Sequence, residues 1–148
     1  MNSPPPRRDL AAMIVPLGRA LSAAEEPVLR AHDLSMWAYI VLTALAERPM
    51  RTQAALARAI GADKTRIIGV LDDLQERGLI QRRPDPADRR MRVLSLTAAG
   101  QRAHRSTQAA IRAREERLLA RLGAADRQCF LRALQVLSAL PPEEIVGG

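Results

Sequence analysis

The sequence predicts a mainly α-helical fold carrying one small β-hairpin. Two observations predict it. Of 148 residues, 26 are Ala, 20 are Leu and 22 are Arg, all strong helix formers. Apolar residues recur at helical spacing along most of the chain, but the period drops from 3.6 to 2 after Gly78 and returns to 3.6 after Thr97.

Residues 1–9 are Pro-rich and read as a disordered arm. Leu10, Ile14, Leu17 and Leu21 follow at helical spacing, with Pro16 and Pro27 predicting a kink or break, since each removes a backbone donor. His32-Asp33-Leu34-Ser35 is a turn, and Asp33 or Ser35 caps the next helix, Met36–Glu47. That helix is apolar nearly all round, which predicts a central, buried position. Thr52 is a good N-cap for a short helix through Ile60. Gly61-Ala62 makes a tight turn, and Asp63 caps a helix over about Lys64–Arg77 with Ile67, Val70, Leu71 and Leu74 on one face. Gly78 stands where a left-handed C′ residue is wanted, with Leu79 as its apolar clasp. Leu79–Arg83 and Met91–Leu96 read as strands joined by a long tip. Thr97 caps a helix to about Leu122, and a last helix spans Asp126–Leu140, stopped by Pro141-Pro142.

Composition excludes several function classes. One cysteine and two histidines are too few for a disulfide framework or a Cys/His zinc site. The longest apolar run, Met36–Ala46, is well short of the roughly 20 residues of a membrane span, and residues 1–9 carry no apolar stretch of a secretory signal. A lone thiol fits a reducing, cytoplasmic setting. Trp37, Tyr39 and Phe130 are the only aromatics, against the stacking platforms of single-strand and RNA binders. There is no glycine-rich phosphate loop, and His32 and His104 lack a Ser/Asp partner in any recognisable motif. Glu25-Glu26, Asp72-Asp73 and Glu115-Glu116 are adjacent in sequence and diverge on a helix. Neither an enzyme nor a cofactor is expected.

The net charge of +7 is uneven. Residues 1–74 carry 9 basic and 8 acidic groups, whereas residues 75–148 carry 14 and 8. The excess in the second half points to a polyanion. Five cations (Arg82, Arg83, Arg89, Arg90 and Arg92) fall in eleven hairpin residues against Asp85 and Asp88, and Asp88 is placed to bridge Arg90 and stiffen the tip. A short helix, a tight turn, a second capped helix and a basic hairpin together make a winged helix-turn-helix pattern. A duplex major groove about 12 Å wide admits one helix. The second helix would enter it N-terminus first, led by Lys64, Thr65 and Arg66, while the hairpin lies along phosphates or reaches the minor groove. Thr52 and Gln53, opening the first helix, complete the set expected to face DNA.

The segments DLSMWAYIVLTALAERP (33–49), TQAALARAIGADKTRIIGVLDDLQERGLI (52–80) and QRRPDPADRRMRVLSLTAAG (81–100) resemble the MarR family of bacterial winged-helix regulators. The Asp88-Arg89-Arg90 run leading into Leu96-Thr97-Ala98-Ala99-Gly100 carries the family's wing pattern, and the likeness covers about residues 10–140. The resemblance implies a symmetric dimer whose N- and C-terminal helices interlock over a palindromic operator. It also implies repression relieved by a small, often aromatic or phenolic, ligand bound between the dimer region and the DNA lobes. It places the recognition-helix start on Lys64, Thr65 and Arg66, and the minor-groove arginine on Arg90, beside Arg89 and Arg92. Many members carry Thr and Arg one turn further along, where this chain has Ile68 and Gly69. Base readout then falls to Arg66 or to apolar contact with a thymine methyl. Gly69 suits either close approach to DNA or tight helix packing.

The expected organisation is an arm (1–9), an N-terminal dimerisation region (10–32), a DNA-binding domain (33–97) and C-terminal dimerisation helices (98–148). Leu10, Ile14, Leu17 and Leu21, and Phe130, Leu134, Leu137 and Leu140, form apolar stripes outside the winged core and suggest an interface; a monomeric bundle is the alternative. His32, Met36, Trp37 and Tyr39 are candidate ligand contacts, with Met13 beside them, though core packing explains each aromatic singly. Cys129 beside Phe130 reads as a packing residue rather than a redox switch, and His104 as exposed. The leading expectation is a ligand-responsive, dimeric, sequence-specific repressor on double-stranded DNA. The rivals are a non-specific architectural DNA binder and a winged-helix protein-interaction module.

Overall fold

The structure, a computed structural model, describes residues 5–147. Among them are α1 (Leu10–Ala31), α2 (Met36–Glu47), α3 (Gln53–Ile60), α4 (Lys64–Glu76), β1 (Ile80–Pro84), β2 (Arg92–Leu96), α5 (Ala98–Leu119), α6 (Ala124–Ser138) and α7 (Pro142–Val146). The fold is mostly helical with one antiparallel hairpin, the class the sequence predicts. Of the Pro-rich arm, residues 1–4 lie outside the described residues, and residues 5–9 are exposed and without regular structure. The chain divides into two compact units, residues 1–110 and 111–148.

The first unit is built around α2. Val41, Leu42 and Leu45 of α2 are buried with Leu56 of α3, Ile67, Leu71 and Leu74 of α4, Ile80 of β1 and Leu94 of β2. A helix that packs against α1, α3, α4 and β2 needs apolar residues on nearly every side, which is why α2 lacks a polar face. Ser35 caps α2 by accepting from the Ala38 N–H at 3.0 Å. Asp33 instead takes a left-handed φ of 55°. It ends α1 in a Schellman turn, with the Leu34 N–H donating to Leu29 O and the Asp33 N–H to Arg30 O. Gly61 and Gly78 close α3 and α4 with the same pair of bonds.

Helix α1 is continuous through Pro16 and Pro27, so of the expected kink or break the break does not occur. Each proline removes one donor and leaves the neighbouring rungs intact, and Val28 and Leu29 anchor the last turn by burial. The strands begin one residue later than expected. Leu79 is used by the α4 Schellman turn and its N–H donates to Leu74 O, so pairing starts at Ile80↔Leu96. Met50 adds an isolated bridge on the other edge of β2, exchanging both backbone bonds with Leu94.

In the second unit, α5 stops at Leu119, short of the expected Leu122, and α6 runs from Ala124 to Ser138. Pro141-Pro142 ends α6 as expected but also starts α7, with Pro142 in the first turn, where a missing N–H costs nothing. Phe130, Leu131, Leu134, Val136 and Leu137 of α6 are exposed, as are Leu10, Met13, Ile14, Val15 and Leu17 of α1 in the first unit. Among the described residues no helix is long and apolar enough to cross a membrane.

Candidate nucleic-acid interface

The helix-turn-helix is set by its caps. Thr52 accepts from the Ala55 N–H at 3.0 Å to start α3, and the hydroxyl keeps its own proton to donate; Gln53 beside it is half-buried. Asp63 accepts from the Thr65 N–H and starts α4. Lys64, Thr65 and Arg66 are exposed, and Ile67 directly behind them is buried, so the core grips α4 one residue past its leading edge. Ile68 and Gly69 extend the exposed face. A Cβ built at Gly69 meets nothing within 4 Å. Packing inside this chain therefore does not require the glycine.

The wing carries its arginines in two ways. Arg82, one of the residues expected to face DNA, is paired with Asp72 of α4 at 2.8 Å. Cross-strand geometry explains this, since Arg82 lies opposite the buried Leu94 on the face that covers α4. Arg83, Arg89, Arg90 and Arg92 are exposed and, like Lys64 and Arg66, have no ion pair among the described residues. Two Asp side chains shape the tip. Asp85 accepts from the Ala87 N–H at 2.9 Å and Asp88 from the Arg90 N–H at 3.1 Å. Asp88 thus stiffens the tip through the Arg90 backbone and not, as expected, through its guanidinium.

Asp85 is also gripped by Arg51, whose Nε and Nη2 both reach the same carboxylate oxygen, at 3.2 and 2.9 Å. The Ala87 N–H, then the Arg51 guanidinium, hold the Asp85 carboxyl below its ordinary range. Sequence reasoning missed Arg51. It lies outside the basic cluster, 34 positions from its partner, and only its place just before α3 hints at a link to the hairpin.

The Leu-Thr-x-x-Gly segment closes the wing onto the helix that precedes it. The Thr97 hydroxyl donates to Gly78 O at 2.6 Å and accepts from the Gly100 N–H at 3.0 Å, while the Thr97 N–H donates to Leu79 O. One threonine thereby joins the end of α4, the end of β2 and the first turn of α5.

The four candidate ligand contacts have different partners: His32 and Tyr39 both meet α5, whereas Trp37 meets α4. His32 engages Val28 O through Nδ1 at 2.8 Å and Ser106 Oγ through Nε2 at 3.3 Å. Tyr39 stacks on His104, with ring centroids 5.6 Å apart. Trp37 lies beneath Arg66, whose Cζ is 5.9 Å from the ring centroid. Met36 lines a groove of about 520 Å³, formed with Ser22, Glu26, Leu29, Arg30 and Leu34. His104, expected to be exposed, is only 7% accessible; it sits on the α5 face turned to α2, where Tyr39 and Thr43 receive it. Cys129 is exposed, not packed, because α6 buries no residue of its own. No group of three or more His, Cys, Asp or Glu suited to a metal ion occurs among the described residues.

The family model of the MarR family matches residues 32–91. The transcriptional regulator HosA of Escherichia coli O111:H- is 31% identical over 103 residues, covering 70% of this chain and 76% of that protein. A Thauera aromatica protein assigned to regulation of the hcr operon is 34% identical over 99 residues, 67% of this chain and 60% of that protein. Among solved structures, Mycobacterium tuberculosis Rv2887 in complex with DNA superposes with a TM-score of 0.77 at 26% identity, covering 90% of this chain and all of that one. The same protein in complex with salicylic acid gives 0.74 at 27% identity, covering 88% and 97%.

Proposed function

The chain belongs to the MarR family of transcriptional regulators, and from that premise we propose that it is a homodimeric, sequence-specific repressor that binds a palindromic duplex and is released by a small aromatic or phenolic ligand. One observation carries the DNA reading. Lys64 and Arg66 at the front of α4, and Arg83, Arg89, Arg90 and Arg92 on the wing, are exposed cations without a carboxylate partner among the described residues, while nearby Arg51, Arg77 and Arg82 are neutralised by Asp85, Asp73 and Asp72. Unpaired cations release counterions from a duplex; paired ones must first break a bond.

In this reading α4 enters the major groove by its leading edge. Arg66 offers the forked donors that match guanine O6 and N7, Lys64 and Thr65 meet phosphate, and Thr52 and Gln53 brace the flank. Arg90 reaches the minor groove, whose negative potential favours a guanidinium, and Arg83, Arg89 and Arg92 follow the backbone. Arg82 is left out of this set. The exposed apolar residues of α1 and α6 are the surfaces a second copy covers, and two-fold symmetry then spaces the half-sites about 34–36 Å apart.

The groove lined by Met36 is the proposed ligand site. Its walls are largely apolar, with the Arg30–Glu26 ion pair and two hydroxyls at the rim. The Rv2887 complex with salicylic acid supports an aromatic acid as the ligand class. Selection of bound duplexes from a random pool, followed by salt titration, tests the whole. The expected result is a palindrome with one-turn spacing, bound roughly 10³-fold or more above scrambled duplex. Equal affinity for all duplexes would favour an architectural binder, and no affinity would favour a protein-interaction module.

A further inference from the structure

We propose that Trp37 is a positioning residue for Arg66, and so determines how sharply the protein prefers one base at the position Arg66 reads. The proposal rests on the DNA reading above and concerns how that reading is made selective. Arg66 is the third residue of α4, exposed, with no hydrogen bond or ion pair among the described residues. Its one described partner is the face of Trp37, the second residue of α2, 5.9 Å from Cζ to the ring centroid.

The type of partner matters. A carboxylate at this place would occupy the guanidinium donors and would have to be displaced before a base is read, as Asp72 occupies Arg82. Trp offers no hydrogen-bond acceptor. Its π cloud attracts the cation while leaving the in-plane N–H fork unclaimed for a guanine edge. An unsupported arginine samples many rotamers on a helix surface and loses that freedom when it binds. Trp37 removes part of that loss in advance, so the gain goes to the one geometry that pairs with the correct base.

Both ends of the contact are firmly held. Ser35 caps α2 two residues before Trp37, and Ala38, directly after it, is buried. On the other side, Asp63 caps α4 and Ile67, directly after Arg66, is buried. The platform and the arginine therefore come from two helices locked in the same core, and neither can drift without disturbing it.

The test is base preference measured for wild type, Trp37→Leu, Trp37→Phe, Arg66→Ala and the Trp37→Leu/Arg66→Ala double variant, with the emission of Trp37, the only tryptophan, as a second reading. Trp37→Leu is expected to lower preference at the Arg66 position by about 2- to 5-fold, the size of an exposed cation–π contact, and to leave other positions unchanged. Trp37→Phe restores that preference to within about 2-fold, since a ring face remains. The double variant matches Arg66→Ala alone, and Arg66→Ala changes Trp37 emission without DNA. Equal loss on all duplexes, additive loss in the double variant, or emission unaltered by Arg66→Ala each overturns the proposal. Should Trp37→Leu fail to fold, the emission of Arg66→Ala decides it. A wild type that prefers no duplex overturns the DNA reading and the selectivity role with it; a wild type with a clear preference that Trp37→Leu retains in full overturns the role of Trp37 alone.

Discussion

Gly100 lies directly against the backbone carbonyl of Leu79, with no room for a side-chain carbon between them. The neighbour is main chain already committed to the Thr97 N–H, so it cannot swing aside as a flexible side chain would. Gly100→Ala should destabilise the first unit by about 1–3 kcal/mol, the cost of forcing an added carbon into a packed site. Thr97→Ala, which removes the cap and the bond to Gly78 O, should cost about 0.5–2 kcal/mol. Urea midpoints decide both; an unchanged midpoint in Gly100→Ala would show that the close approach is not needed.

The tie between Arg51 and Asp85 predicts a pH signature. The Asp85 carboxyl is held below its ordinary value of 3.8 by the Ala87 N–H and then by Arg51. A depressed folded-state value means the folded protein binds the proton less readily than the unfolded chain. The stabilisation is therefore fully present above pH 3.8 and is lost as pH falls below it, through the folded value. The stability difference between wild type and Asp85→Asn should be flat near neutrality and shrink in acid. Parallel urea midpoints from pH 7 down to pH 3 measure it, and a gap independent of pH contradicts the assignment.

Removal of single arginines should separate grip from readout. Arg90→Ala should weaken binding to every duplex about equally and reduce the salt slope by about 1. Arg66→Ala should relax preference at one base position by about 1–3 kcal/mol. Arg82→Ala should act differently from both, altering stability through the lost Asp72 pair with little change in salt slope. Filter binding across a salt series distinguishes the three, and a full unit of slope lost in Arg82→Ala would mean the pair opens on DNA.

Gly69 should show opposite effects on stability and binding. A glycine inside a helix costs about 1 kcal/mol relative to alanine, and nothing in the chain opposes a methyl group there. Gly69→Ala should therefore raise the thermal midpoint while reducing duplex affinity. A variant both more stable and equally tight would place Gly69 away from the duplex.

The exposed apolar faces predict assembly. Leu134→Arg on α6 alters a residue that is 47% accessible, so helical content should survive while self-association and duplex affinity fall together. Sedimentation at several concentrations tests this, and an unchanged dimer would put the interface elsewhere.

Local chemistry was legible from sequence and distant pairing was not. Thr52, Asp63 and Thr97 cap helices as read, Ser35 is the one of the two offered caps that is used, Gly61 lies in the expected tight turn and Gly78 takes the expected left-handed one, because a cap or turn depends on residues within about four positions. The apolar face of α4 followed from period alone. The pairings that decide which cations stay available (Arg82 with Asp72, Arg51 with Asp85, Arg66 on Trp37) join separate elements, and composition showed only that arginines were abundant. His104 misled for the same reason: a charged helix gives no sign that one of its turns faces α2. The prolines of α1 misled in the other direction as signals of a break, since a missing donor weakens a helix without always ending it.

The backbone exchange between Met50 and Leu94, next to the Arg51 tether, makes the hairpin continuous with the segment that launches α3. A finger rooted this way has no hinge of its own at that edge. In the proposed complex, curling the finger off the flank of a duplex would tear those backbone bonds out of a buried seam, so release is expected to carry the finger and the start of α3 away together.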